Sequence, residues 1–176
     1  IENDTKSDER LLIIGQSTID DIYREGEGLV FETAPGGDAI YSALGASVWP
    51  VPIGVVSIIG RDYPHDKLET TTWHPELTDW SGLHYYDGPT IHDKAYYFKD
   101  GSRKYIFDDE TLLHQLSPKP VDIPDLFSES KFVHISAANA NAQLEVLKYF
   151  KARGASVSLD LESHFITGYE DVVNEM

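Results

Sequence analysis

Residues with the types and spacing for chemistry fall in two places near the start of the chain. The first is Gly36-Gly37-Asp38, which follows a proline and opens a run of small and apolar residues through Ala39, Ala43 and Ala46. Adjacent glycines permit positive φ and leave the main chain open to close approach by a ligand. A helix that begins just after them aims its free N–H groups at the same spot, which suits an anion or a ring of hydroxyls. A plain strand-to-helix turn fits the spacing equally well. The second is Asp20-Asp21, shortly after the apolar run Leu11-Leu12-Ile13-Ile14-Gly15. Such a run reads as a strand buried on both faces, and ligands gather beyond the carboxyl ends of strands in open α/β sheets. Asp20 also reads as a surface turn or a helix cap, and Asp38 as a residue favoured electrostatically at a helix start.

The elements that must position these residues follow from periodicity and breakers. Residues 22–33, with Gly26 and Gly28, read as a weak hairpin, Gly37–Val48 as a helix, Val51–Ile59 as a second buried strand and Arg61–Trp73 as helical. The segment from Gly82 to Phe107 is dense in aromatics, and Asp100-Gly101 is a hairpin turn signal between strands at about Ile91–Lys99 and Arg103–Asp108. Tyr96 and Tyr97 alternate faces, so one of them at most meets a ligand. A short helix is expected over Ile123–Ser128. Then come a strand at Lys131–Ser136, a helix at Ala140–Arg153 stopped by Gly154, a strand at Ala155–Asp160 and a helix at His164–Asn174. Strands alternating with helices predict a mostly parallel sheet covered on both faces. Residues 1–9 are polar and acidic and read as a flexible tail.

Composition bounds the function. The chain has 176 residues, enough for one domain with a real core, and its apolar fraction of 41% with ten tyrosines fits a globular protein. Zero cysteines exclude disulfides and thiolate metal sites, and the seven histidines are dispersed, so no histidine metal site is expected. The net charge of −16 argues against nucleic-acid or anionic-membrane partners. No apolar run reaches the roughly 18 residues of a membrane helix, no signal-like segment opens the chain, and a cytoplasmic location is expected.

Taken together, the residues from about Leu11 to Phe165 resemble the N-terminal half of the ribokinase-like (PfkB) carbohydrate kinase family. Gly15 and Asp20 match its opening strand and the aspartate that holds sugar hydroxyls. Gly36-Gly37 with Ala39 and Ala43 resembles its first signature, Gly60-Arg61-Asp62 its Gly-x-Asp turn, and Ser158-Leu159-Asp160 its strand ending in Asp. The run AYYFKDGSRKYIF is similar to its lid strands. Tyr41 stands where the family usually has Asn, Pro50 where it often has Gly, and Glu162 and His164 where Asn and Arg are frequent. Local roles fit these residues as well: Asp62 as a turn or cap residue, Asp160 as a partner for backbone donors, and Glu162 with His164 as a surface helix start.

The resemblance implies an α/β, three-layer ribokinase-like fold with a mostly parallel central sheet. It implies a small β-hairpin lid, with lid strands at about 22–33 and 82–108 in a partial domain spanning 10–176. It implies ATP-dependent phosphorylation of a sugar or nucleoside hydroxyl, with Asp20, Gly36, Gly37, Asp38, Tyr41, Tyr97 and Asp160 on the substrate side. Ionised aspartates suit this role because each accepts from more than one hydroxyl. The family's Gly-Ala-Gly-Asp and Asn-x-x-Glu motifs do not occur in the sequence. The expectation is therefore a chain truncated before the ATP-binding half, inactive alone, with no catalytic residue of its own and with ATP and Mg²⁺ bound elsewhere. A homodimer through the lid strands is also implied. A non-catalytic sugar-binding or regulatory module, or an interaction module built on the aromatic hairpin, remain the alternatives.

Overall fold

The computed structural model describes residues 10–176, so the expected tail at 1–9 lies outside the described residues. The core is a five-stranded, wholly parallel sheet. At its centre is β1 (Leu11–Ile14), flanked on one side by β4 (Ile53–Ile59) and then β5 (Thr78–Tyr85). On the other side lie β8 (Phe132–Ile135) and then β9 (Ser156–Leu159). Successive strand residues face opposite ways, so β1 feeds two separate cores. Leu12 and Ile14 join Val56, Phe127, Val133 and Ile135 beneath α3 (Ala140–Lys151), whose Val146 and Phe150 are fully buried. Ile13 points the other way, into a cluster with Val55, Ile59 and the Ala39, Ile40 and Ala43 face of α1 (Asp38–Ala46). Helix, sheet and helix are the three layers of a ribokinase-like α/β fold.

The second sheet has four strands in the order β3-β2-β6-β7. Two antiparallel hairpins, β2 (Thr18–Arg24) with β3 (Gly28–Gly36) and β6 (His92–Tyr97) with β7 (Arg103–Phe107), join side by side through a parallel β2–β6 pairing. Their turns carry Gly26 and Gly101, both at φ 85°, a conformation open to glycine at no steric cost. Across the central seam Tyr23 stacks on its register partner Tyr96 with ring centroids 4.7 Å apart.

Several expected boundaries move. The first lid hairpin begins at Thr18 rather than at 22, which puts Asp20 on a strand. The second begins at His92: the run from Gly82 to Tyr85 pairs with β4 and belongs to the central sheet. The helix expected over Arg61–Trp73 is a 3-10 turn at His65–Thr70, and that over Ile123–Ser128 is a 3-10 turn at Asp125–Phe127 preceded by another at Pro120–Asp122. The helix expected at His164–Asn174 is split into α4 (Ser163–Ile166) and α5 (Glu170–Val173) at Gly168, whose φ of 84° breaks the helical path. A short helix α2 (Glu110–Gln115), absent from the expected elements, is capped by the Asp109 side chain, which accepts from the Thr111 and Leu112 amides. No helix among the described residues is long and apolar enough to cross a membrane.

Candidate functional site

A cavity of about 660 Å³ lies between the small sheet and the start of α1. Thr18 and Asp20 of β2, Gly37, Asp38 and Tyr41 around the start of α1, and Asp93 of β6 form its inner wall. Arg103 to Phe107 of β7 cover it, and Glu110, Leu113 and the segment Glu162–Phe165 close the far side.

Asp20 is 4% exposed. The Thr18 hydroxyl donates to its Oδ1, and the Tyr41 hydroxyl donates to its Oδ2 at 2.7 Å. Burial pushes the Asp20 carboxyl up, the two hydroxyls pull it down, and neighbouring Asp21 pushes it up again, with a net rise. Tyr41 therefore contributes to the site through Asp20, and burial beside that carboxylate raises its own phenol.

The two glycines have different tasks. Gly36 ends β3 opposite Thr18 and is not on the cavity wall; a Cβ there would fall 2.1 Å from the Asp20 Cγ. Gly37, at φ 90°, is on the wall, and a Cβ there would fall 2.6 Å from the Gln16 carbonyl oxygen and 2.8 Å from the Thr18 nitrogen. Both glycines thus let β2 and the start of α1 close up. Asp38 follows as the first helical residue, and its carboxyl is pushed up to about 6 by burial, then by the charges of Asp160, Glu162 and Asp20, with Arg103 opposing.

Asp160 and Tyr97 stand off the wall. Asp160 is exposed just beyond β9; its amide donates to Ile135 and its carbonyl accepts from Gln143, so it acts on the cavity through charge on Asp38. Tyr97 ends β6 opposite Arg103, partly exposed. Asp62 ties a turn: Thr90 donates to it from its amide at 2.8 Å and its hydroxyl at 2.7 Å. Glu162 caps α4 through the His164 amide while lining the cavity beside His164.

Sequence reasoning missed Asp93, which is 5% exposed and the register partner of Asp20 across β2 and β6. Its Oδ1 accepts from the Ile106 amide at 3.2 Å. Burial first and the Asp20 charge second push its carboxyl up to about 7. The strand alternation puts Asp93 on the same buried face as Ala95, but nothing local in the sequence pairs it with Asp20.

The wall has five carboxylates, from Asp20, Asp38, Asp93, Glu110 and Glu162, against the cations of Arg103 and Lys104. This donor set fits a ligand rich in hydroxyls, which carboxylates accept from readily. It does not fit the polyanionic phosphate chain of ATP, which would meet like charge in a poorly screened space. Among the described residues no group of three or more His, Asp or Glu is placed to hold a metal.

Comparison with known proteins agrees with the architecture. No family model matches the chain. The chain is 29% identical over 153 residues to a cytidine kinase from Thermococcus kodakarensis, covering 85% of this chain and 51% of that protein. Among solved structures it is similar to a PfkB protein from a Polaromonas species, with TM-score 0.70, 16% identity and coverage of 94% and 61% of the two chains. It is also similar to a ribokinase II from E. coli in complex with ATP and Mg²⁺, with TM-score 0.69, 16% identity and coverage of 94% and 58%. The chain has the ribokinase-like fold and resembles the sugar and nucleoside kinases built on it. It spans about half the length of the curated relative it matches.

Proposed function

We propose that this chain is the acceptor-binding part of a kinase that transfers phosphate from ATP to a hydroxyl of a sugar or nucleoside. The observation that carries the reading is a buried aspartate, Asp20, fixed by Thr18 and Tyr41 in an acidic cavity under a hairpin lid. Asp20 and Asp38 accept hydrogen bonds from ligand hydroxyls, Gly37 leaves the main chain within reach of the ring, and the aromatic side chains of β7 cover its apolar face. Lid strands over the ligand exclude water, which keeps a transferable phosphoryl group from hydrolysis. ATP with Mg²⁺ supplies the phosphoryl group, and the charge developed in transfer needs cationic and N–H donors. The cavity wall sets five carboxylates against Arg103 and Lys104, a balance unsuited to a triphosphate, so in this reading ATP and Mg²⁺ are held by residues outside those described. The cytidine kinase likeness favours a nucleoside, and the ribokinase likeness a pentose. The outward aromatic and apolar side chains of the lid, Phe31 at 59% exposure above all, support a homodimer joined through it.

The test uses the protein expressed from its native gene. Phosphate transfer from ATP to a panel of nucleosides and free sugars, followed by mass spectrometry of the acceptor, should give one phosphorylated product. Asp20→Ala should abolish acceptor binding while the thermal midpoint stays near that of the parent. Absence of both transfer and binding across the panel would overturn the reading.

A further inference from the structure

Asp20 and Asp93 face one cavity from adjacent strands in register, yet they are satisfied differently. Asp20 receives a side-chain hydroxyl on each oxygen. Asp93, equally buried, receives only main-chain donors among the described residues, the Ile106 amide at 3.2 Å and the amide of Lys94. A buried carboxylate without a side-chain or cationic partner is costly unless something else donates to it. Two cations of the flanking strands are engaged elsewhere, since Arg103 lies over the Tyr105 ring and Lys94 pairs with Asp108 at 3.9 Å. Parallel strands stand about 4.8 Å apart, so two acceptors side by side on them can be met by hydroxyls on neighbouring carbons of one ring.

We propose that Asp93 is a specificity residue that accepts a hydrogen bond from a second ligand hydroxyl, next to the one held by Asp20, and thereby restricts the site to neutral polyols. This inference rests on the acceptor-binding reading above. Two adjacent carboxylates accept and cannot donate when ionised, so they favour a vicinal diol. The same pair repels a phosphate or carboxylate on the ligand, which excludes sugar phosphates and sugar acids by like charge as well as by unmet hydrogen bonds.

The experiment is calorimetric titration of the protein from its native gene at pH 8, with neutral nucleosides and sugars, their deoxy analogues lacking one hydroxyl at a time, and their monophosphates. For the best neutral ligand, one deoxy analogue should bind about tenfold more weakly, the worth of one hydrogen bond to a charged group. In Asp93→Asn and Asp93→Ala that difference should shrink to about twofold or less while other deoxy penalties persist, and the monophosphate should gain affinity. Circular dichroism confirms folding of each variant, and two variants guard against one failing to fold. An unchanged deoxy penalty in both variants, with Asp20→Ala losing binding, would overturn the role of Asp93 and leave the acceptor-binding reading standing. Tighter binding of a monophosphate than of its neutral parent by the wild type would overturn the restriction to neutral ligands. Failure of every neutral ligand to bind would overturn both.

Discussion

The Asp20 carboxyl group occupies the place where a Gly36 side chain would be: a Cβ on Gly36 would come within 2.1 Å of Asp20 Cγ and 2.2 Å of its Oδ1. The glycine at the end of β3 is therefore a mould for the acid on β2, and the two positions constrain each other. Gly36→Ala must push the carboxylate off Thr18 and Tyr41 or force the hairpin apart. Overpacking of this kind costs about 1–3 kcal/mol. The expected result is a lower thermal midpoint together with a loss of acceptor affinity of at least about tenfold, read by differential scanning calorimetry and by titration. Wild-type affinity in the folded variant would show that Asp20 is not held in place by this contact.

Tyr41 gives a cleaner probe because it touches the site through its hydroxyl. Tyr41→Phe removes the 2.7 Å bond to Asp20 Oδ2 and keeps the ring. A hydrogen bond to a charged acceptor is worth about 1.5–3 kcal/mol, part of which a ligand hydroxyl or water replaces. The variant should be slightly less stable, and its acceptor affinity should fall less than that of Asp20→Ala. A titration showing equal losses for the two variants would place Tyr41 on the ligand itself.

Asp93 sets a pH dependence of stability. Its carboxyl is pushed up to about 7 in the folded chain from an ordinary value of 3.8, by burial and by the charge of Asp20, with Asp108 adding and main-chain donors opposing. A carboxyl raised on folding favours the folded state while protonated. Its contribution is fully present below about pH 3.8 and is lost as pH rises through about 7. Asp38, raised to about 6, acts in the same direction over a narrower window. Asp93→Asn should therefore stabilise the protein at pH 8 by on the order of 2 kcal/mol, and the gain should fade toward pH 4. Urea midpoints for both proteins at pH 4, 6 and 8 check this; a gain independent of pH would mean that Asp93 does not titrate in this range.

The fold was legible where periodicity is strong. Leu11-Leu12-Ile13-Ile14 read as a doubly buried strand and is the sheet centre; Asn139 and Gly154 bracket α3, where a breaker and an apolar stripe were visible. Legibility failed where tertiary pairing overrides local pattern. The aromatics at Tyr85 and Tyr96 look alike in sequence, yet one ends a strand of the central sheet and the other sits in the lid, because only pairing with β4 or β2 separates them. At the site, the Gly36-Gly37 turn and the Asp20-Asp21 pair were readable as types and spacings. Asp93 was not, since its partner Asp20 is 73 residues away and the contact exists only through the parallel β2–β6 register.

The lid carries one strained residue, and its restraints make a last test. Thr33 has φ 54°, a left-handed conformation unfavourable for a β-branched side chain, at the point where the β2–β3 register slips between Asp20 and Ile22. Two contacts hold it: its amide donates to Asp21 Oδ1 at 2.9 Å, and its carbonyl accepts from Lys67 Nζ at 2.6 Å. Lys67 lies on the 3-10 turn after β4, so this bond ties the hairpin to the main body. Asn tolerates the left-handed region and keeps the backbone bonds, so Thr33→Asn should stabilise the protein by about 1 kcal/mol. Lys67→Met should leave the core intact yet free the hairpin, with faster amide exchange over residues 28–36 and little change in α3. Uniform exchange changes across both regions would mean that the hairpin and the core open as one unit, and that Lys67 is not the tether.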